Sequence, residues 1–241
     1  FNNELDKEDF HTLFVIPARK GSKRLPGKNN EKIAGKSLLE NKIYCCKKSN
    51  LGDIVVTSDC PTILSEAKNN NLKYIRERPG SLCGDGPTTP IVYDAVKFYE
   101  KESKKKVDII ILSQITTPFI LAHDFKDSFN LFKNSISQFN SLIACKKIDN
   151  NILWTLYQDS KNESYKLPSK IIQEFKNFII GKDSFIPNGG IYILKRSDLK
   201  KTGSLYELPV KIFQMDDKKS IDIDYREDLE LAKIYSKEFF K

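Results

Sequence analysis

Short apolar runs alternate with helix-length stretches through the first half of this 241-residue chain, and that rhythm leaves it few folds. Leu13–Ile16, Asp53–Thr57, Leu72–Ile75 and Val107–Leu112 are apolar runs bounded by turn residues, which read as buried strands. Between them, Ser37 can cap a helix running to about residue 49. Ser58-Asp59-Cys60-Pro61 supplies a cap and a helix-opening proline for a helix to about Asn69. Thr88, Thr89 and Pro90 open another, to about Glu102. Short buried strands separated by helices of about 10–15 residues mean βαβ units. The expected fold is α/β: three layers around a mostly parallel, Rossmann-like sheet.

In such sheets ligands bind outside the carboxyl ends of the strands. Three polar segments fall there: Ala18–Asn29, Thr57–Asp59 and Gln114–Pro118. The first is the most telling. It follows the strand directly and holds Arg19, Lys20, Lys23, Arg24 and Lys28 together with Gly21 and Gly27. Side-chain cations and backbone amides at a strand end can surround a polyphosphate. It is not a P-loop, because five residues separate the glycines and Asn29 follows Lys28. Gly35-Lys36-Ser37 lacks the leading glycine, and no GxGxxG occurs. Kinase and dinucleotide-dependent oxidoreductase chemistry are disfavoured on spacing.

The net charge of +8 admits nucleic acid or small polyanions as partners. Lys101, Lys104 to Lys106, Lys200, Lys201, Lys218 and Lys219 read as solvated helix ends and loops. No zinc-finger spacing or RRM-type aromatic motif accompanies the charge, so small anions are favoured over a nucleic-acid-binding module. Cys45, Cys46, Cys60, Cys83 and Cys145 form no CxxC pair and have no metal-ligand spacing. With only His11 and His123, a His-based metal site or a Ser-His-Asp triad is poorly supplied, and His123 reads as part of a helix start. No apolar run approaches the ~20 residues that span a bilayer. The expectation is a reduced, cytoplasmic protein without membrane contact. Residues 1–10 read as a flexible N-terminal extension and 11–241 as one domain.

From about 141 to 187 the βαβ rhythm is lost. Strand-like pieces, Leu142–Lys146 and Ile152–Tyr157, are joined by polar stretches, as in an inserted arm. Strands resume at Ile191–Leu194 and Leu208–Met215, and Tyr225–Phe239 reads as a closing amphipathic helix. Ahead of that helix stands Asp222-Ile223-Asp224. If extended, it points both carboxylates to one side. Such a pair suits a hard cation such as Mg²⁺ that bridges to phosphate oxygens. Asp224 can instead be a helix N-cap with Glu227 completing a capping box, which leaves Asp222 without a role. Pro187-Asn188-Gly189-Gly190 reads equally as a turn or as backbone that a substrate approaches closely.

At these residues the chain resembles the bacterial CMP-sialic acid synthetases (acylneuraminate cytidylyltransferases) and, more weakly, their relatives acting on Kdo. The likeness runs from about His11 through six segments in order: IPARKGSKRLPGKN, VVTSD, RPGSLCGD, QITTP, PNGGIY and SIDIDYREDLE. It implies an α/β nucleotidyltransferase, a homodimer whose dimerisation arm helps build the partner's site, and transfer of CMP from CTP to a sugar acid with release of pyrophosphate. By position, Arg19, Ser22 and Lys28 would contact the CTP phosphates, and Asn29, Arg78 and Thr89 would hold the cytidine end. Gln114, Asn188 and Gly189 would face the sugar, and Asp222 and Asp224 would bind Mg²⁺, with Arg19, Lys28 and Asp224 carrying the catalysis. No general base stands out. Three arginines of the family are absent: Ile186 stands before the PNG motif, Ile120 after the QITTP segment, and Ile172 to Asp183 lacks the one expected earlier in the arm. The implied acceptor is therefore a related nonulosonic acid of pseudaminic or legionaminic type, with Lys170, Lys176 or Lys182 as candidates to meet its carboxylate. A Kdo-type acceptor and a catalytically weakened regulatory homologue are the remaining alternatives.

Overall fold

The computed structural model describes residues 10–21, 24, 25, 27, 28, 31–84, 86–148, 157–159, 164–166, 183–200 and 203–240. Ser22, Asn29, the N-terminal extension up to residue 9, most of the arm with Lys170, Lys176 and Lys182, and all of the expected strand Ile152–Tyr157 but its last residue lie outside them.

The strands are β1 (Thr12–Ala18), β2 (Lys32–Ile33), β3 (Lys36–Ser37), β4 (Asp53–Ser58), β5 (Tyr74–Glu77), β6 (Ile109–Leu112), β7 (Ser141–Ile148), β8 (Tyr157–Asp159), β9 (Ser164–Lys166), β10 (Ser184–Lys195) and β11 (Val210–Met215). The helices that frame the site are α1 (Leu38–Ser49), α2 (Pro61–Asn69), α3 (Thr88–Ser103), α4 (Ala122–Lys133) and a C-terminal helix (Arg226–Phe239). Seven strands form one sheet in the order β11-β7-β10-β6-β1-β4-β5. Every pairing in it is parallel except the two made by β10, which runs antiparallel to β6 and β7.

The order explains where a ligand can sit. From β1 the chain steps outward through β4 to β5, then crosses back to lay β6 on the other side of β1. The loops after β1 and β6 therefore leave the sheet in diverging directions, and a crevice opens between them. The basic loop follows β1 and the Gln114–Pro118 segment follows β6. Topology alone brings two of the three expected polar segments face to face.

Alternate residues of β1 go to opposite faces, as a pleated strand requires. Phe14, Ile16 and Ala18 join Ile54, Val56, Ile109 and Ile111 under α1, α4 and the C-terminal helix. Leu13 and Val15 join Val55, Ile110 and Leu112 under α3, whose Val92, Ala95, Val96 and Tyr99 face them. Phe14, Phe125 and Tyr99 have no exposed surface, each contributing roughly 1.5–3 kcal/mol of apolar burial. Two apolar faces covered by helices make the three layers that the sequence rhythm implies.

Several boundaries differ from the sequence expectation. The strand expected at Leu72–Ile75 lies at Tyr74–Glu77, because Leu72 packs at the end of α2 and its amide closes onto Ala67. The strand expected to begin at Ile191 begins at Ser184, so the Pro187–Gly190 segment is not a turn but the irregular middle of β10. Its register against β7 shifts between Pro187 and Tyr192. Asp224 is not the helix cap. The helix starts at Arg226, and Asp228 accepts from the amides of Asp224 and Tyr225 at 3.0 and 2.8 Å. The Asp224 carboxylate is thereby left for other partners.

Candidate active site

The crevice between the β1 and β6 loops holds a cavity of about 380 Å³. Arg19, Arg24, Lys28 and Arg78 supply its cations, and Asp222 and Asp224 its carboxylates. Gly21, Gly84, Gly86, Thr88, Gln114, Ile115 and Thr116 complete much of the wall. Thr88 is the first residue of the sixteen-residue helix α3, so a helix N-terminus adds positive potential at the same place. A larger concavity of about 560 Å³ beside α1 and α4 contains none of the expected site residues.

Lys28 is buried at 9% exposure, and its ammonium donates to the carbonyl of Ile223 at 3.0 Å and to Asp224 Oδ1 at 3.3 Å. Arg24 approaches the other Asp224 oxygen at 2.6 Å. The basic loop and the segment ahead of the C-terminal helix, almost 200 residues apart in sequence, are thus joined by charge. A second clamp fixes that segment from the β6 side: the Ile223 amide donates to the Thr116 carbonyl at 2.8 Å. Asp222, Ile223 and Asp224 are held between both loops.

Burial pushes the Asp222 carboxyl above its ordinary pKa, and the neighbouring charge of Asp224 acts in the same direction. The Thr116 hydroxyl faces this carboxylate and favours its ionised form, yet neither Thr116 Oγ1 nor Asp222 Oδ1 completes a hydrogen bond of normal geometry among the described residues. A buried carboxylate oxygen left without a partner is costly unless something else meets it. A hard divalent cation is the kind of partner such an oxygen suits. Among the described residues no third carboxylate, cysteine or histidine joins the pair to close an all-protein cage. Two carboxylates with the remaining positions left to water and substrate oxygens are the pattern suited to Mg²⁺.

Arg78 lines the cavity although it is only 6% exposed. Its Nη2 donates to the Thr57 carbonyl at 3.0 Å and its Nε has no partner among the described residues. Burial lowers its pKa from the ordinary value, and nearby Arg19 adds to the effect. Thr57 and Ser58 are buried in β4 and do not line the cavity. The third polar segment therefore acts at one remove, holding Arg78 through Thr57 and the Lys20 amide through Asp59.

On the expected sugar side, Gln114 lines the cavity, whereas Asn188 and Gly189 stand behind it. Asn188 donates to Ser220 at 3.0 Å and accepts from the Gly190 amide at 3.0 Å. Gly189 has φ +74°, and a Cβ there would lie 3.0 Å from Asp222 Oδ2, so the glycine lets the strand pass directly behind the carboxylate. Thr89 is turned away, its hydroxyl donating to the Gly203 carbonyl at 2.9 Å, and its neighbour Thr88 lines the cavity instead. The arrangement adds residues that the sequence reading did not assign: Arg24, Thr88 and Thr116. Arg24 lies in the basic loop and Thr116 in the QITTP segment, so proximity to assigned residues was the available signal.

The profile of the family described as Cytidylyltransferase matches residues 13–239. CMP-N,N'-diacetyllegionaminic acid synthase of Legionella pneumophila is 28% identical over 216 residues, covering 88% of this chain and 90% of the relative. Pseudaminic acid cytidylyltransferase of Campylobacter jejuni is 25% identical, covering 93% and 96%. Among solved structures, a CMP:2-keto-3-deoxy-manno-octonic acid synthetase complexed with CTP superposes with a TM-score of 0.61 at 18% identity, over 95% of this chain and 99% of that one. A cytidylyltransferase from Leptospira borgpetersenii gives 0.60 at 20% identity, over 96% and 89%. These structural likenesses establish a shared nucleotidyltransferase fold.

Proposed function

The chain belongs to the cytidylyltransferase family, and from that premise we propose that it activates a nonulosonic, sialic-acid-like sugar acid as its CMP derivative, consuming CTP and releasing pyrophosphate. The observation that carries the reading is the meeting of Arg19, Arg24 and Lys28 with Asp222 and Asp224 across one small cavity. Full-length relatives named for legionaminic and pseudaminic acids support the acceptor class.

The chemistry follows from where charge develops. Attack of the sugar hydroxyl on the α-phosphorus loads the non-bridging oxygens and the departing pyrophosphate with negative charge. Cations fixed before the reaction stabilise that charge without reorganising, and removing one such group in other enzymes costs about 10²–10³ in rate. Arg19 and Lys28 serve this role, and Arg24 adds a third charge on the same loop. Lys28 is suited to it because its ammonium is already largely desolvated and held against Asp224 and the Ile223 carbonyl. Arg78 and Thr88, which line the cavity, belong to the cytidine end, where Thr88 takes the place expected of Thr89. Gln114, with Asn188 and Gly189 behind it, forms the acceptor side. Asp222 and Asp224 would hold Mg²⁺, which when bound offsets phosphate charge and orients the chain of phosphates. Clamping of the 222–224 segment by both loops keeps nucleotide and acceptor groups in fixed relation, which lowers the entropic part of the barrier.

A homodimer whose arm, about 141–187, completes the partner's acceptor side is part of this reading, as is a cytoplasmic setting where CTP is available. Small anions, rather than nucleic acid or membrane, are the partners. Among the described residues no helix is long and apolar enough to cross a membrane.

The direct test is to supply CTP, Mg²⁺ and a panel of pseudaminic, legionaminic, neuraminic and Kdo acids, and to measure pyrophosphate. Release with a nonulosonic acid is the expected result. Release with Kdo alone would move the acceptor class. Silence with every acid, together with no thermal shift on adding CTP, would overturn the reading.

A further inference from the structure

Helix α1 carries a charged side chain into the core. Lys42 is 2% exposed, among Leu38, Leu39, Ile43, Cys45 and Cys46 of the same helix. Lysine is almost never so buried without a partner, because its ammonium loses hydration that apolar neighbours cannot replace. Lys42 forms no ion pair among the described residues. Its Nζ donates to the Thr117 carbonyl at 2.9 Å and to Thr117 Oγ1 at 3.2 Å, with the Phe125 ring centroid 5.6 Å away. The ionisable groups that face it are Cys46 and Cys45 on its own helix, Asp124 of α4, and Asp222. Burial draws its pKa down to about 8. A methionine would fill this place without the desolvation cost, so the cation must provide something packing does not.

What it touches leads to the site in two steps. The Thr117 hydroxyl, accepting from Lys42, donates to the Gln114 carbonyl at 3.0 Å and closes the 114–117 turn. Gln114, Ile115 and Thr116 of that turn line the cavity, and the Thr116 carbonyl takes the Ile223 amide between the two carboxylates. We propose that Lys42 is a positioning residue: from inside the core it holds the 114–117 turn, and through Thr116 the turn holds Asp222 and Asp224 in register with the acceptor wall. Its catalytic consequence rests on the reading of the cavity as the CTP site. Its structural part does not.

The test compares the full chain with Lys42→Met, which keeps the bulk and removes the donor. Amide hydrogen exchange at Ile223 reads the clamp directly. The expected result is a loss of protection at Ile223 of ~10-fold or more, with core amides such as Ile111 unchanged, as befits a local opening. In the enzyme assay kcat falls and the acceptor KM rises. A lysine that served general stability would instead lower protection everywhere and leave that kinetic split absent. Unchanged protection at Ile223 overturns the proposal. Should Lys42→Met fail to fold, Thr117→Val removes only the relaying hydroxyl, and the same Ile223 reading decides. A parent protein inert with CTP would sink the cytidylyltransferase reading alone, because Ile223 exchange still judges Lys42.

Discussion

The two walls of the crevice are built on opposite plans. On the phosphate side, from the basic loop to Asp224, charged side chains meet one another across the gap, and Asp222 keeps an oxygen without a bonding partner. On the acceptor side, behind Gln114, contacts are close-packed. The 190 position is so tight that a Cβ would lie 2.6 Å from Ile120 Cδ1. Ile120 itself is 1% exposed. One wall sacrifices stability to hold charge ready for a ligand, and the other gains stability by packing. Substitutions should therefore separate activity from stability differently on the two sides.

The largest effect is expected on the phosphate wall. Lys28→Ala should lower CTP-dependent pyrophosphate release by about 10²–10³, the range seen when a preplaced charge-stabilising group is removed. Arg19→Ala and Asp224→Ala should fall in the same range. Since Asp228, not the Asp224 carboxylate, accepts from the amides ahead of the C-terminal helix, Asp224→Ala should leave that contact intact, and any drop in the thermal midpoint should come from unpairing the buried Lys28. Initial rates at saturating CTP and Mg²⁺ decide this. Near-parental turnover in Lys28→Ala would erase the distinction between the walls.

The acceptor wall should show the reverse. Gly190→Ala forces a methyl group against Ile120 and Asn188 Oδ1, a contact of 3.0 Å, and overpacking of this kind costs about 1–3 kcal/mol. Denaturant unfolding measures the loss. Combining it with Ile120→Ala should recover part of it, since neighbours that clash are not additive. Additive losses would mean the strand has another way to yield, and the packed wall is looser than its distances imply.

This contrast also marks what could be read before any coordinates. The strand and helix rhythm was legible because apolar runs of β1, β4 and β6 and their flanking turn residues are local signals. The basic loop was legible because five cations follow one strand. Asp222 and Asp224 stood out by spacing, but whether Asp224 caps the helix depends on where the chain turns: the cap position falls one residue later, at Tyr225, and Asp228 takes the part expected of Glu227. The irregular middle of β10 was hidden because Asn-Gly-Gly carries the same local preference in a turn and in a bulge. Thr88 facing the cavity while Thr89 faces Gly203 is a matter of helix phase, which neighbouring identical residues cannot disclose. Nor does sequence reveal that Lys42 points inward.

A smaller, signed effect sharpens the phosphate side. Burial raises the folded-state pKa of Asp222, so the native protein binds its proton more readily than the unfolded chain does. Stability contributed by this group is therefore lost as pH rises from the ordinary carboxylate value, ~4, through the raised one. At neutral pH the buried charge is a cost. Asp222→Asn should unfold at a higher temperature than the parent at pH 7, with the gap closing towards pH 4, while turnover collapses. Thermal scans across that window check the sign, and a lower melting point at pH 7 would show that the ionised Asp222 stabilises the fold.

The smallest expected effect separates two of the places where the resembling family carries arginine. Ile186 is 44% exposed in β10, opposite Lys146 of β7, whereas Ile120 is sealed under Gly190. Ile186→Arg should change stability by less than about 0.5 kcal/mol, the usual range for surface positions, with a slight penalty from facing Lys146 across the strand pair. Ile120→Arg should destabilise by several-fold more, since it would bury a cation without a carboxylate beside it. If acceptor choice is set on this wall, Ile186→Arg should lower the KM for neuraminic acid relative to the nonulosonic acid that the parent turns over fastest in the panel, with the KM for CTP unchanged. Equal destabilisation by the two arginines would show that position 186 is as closed as position 120, and that the acceptor wall packs tightly along its whole length.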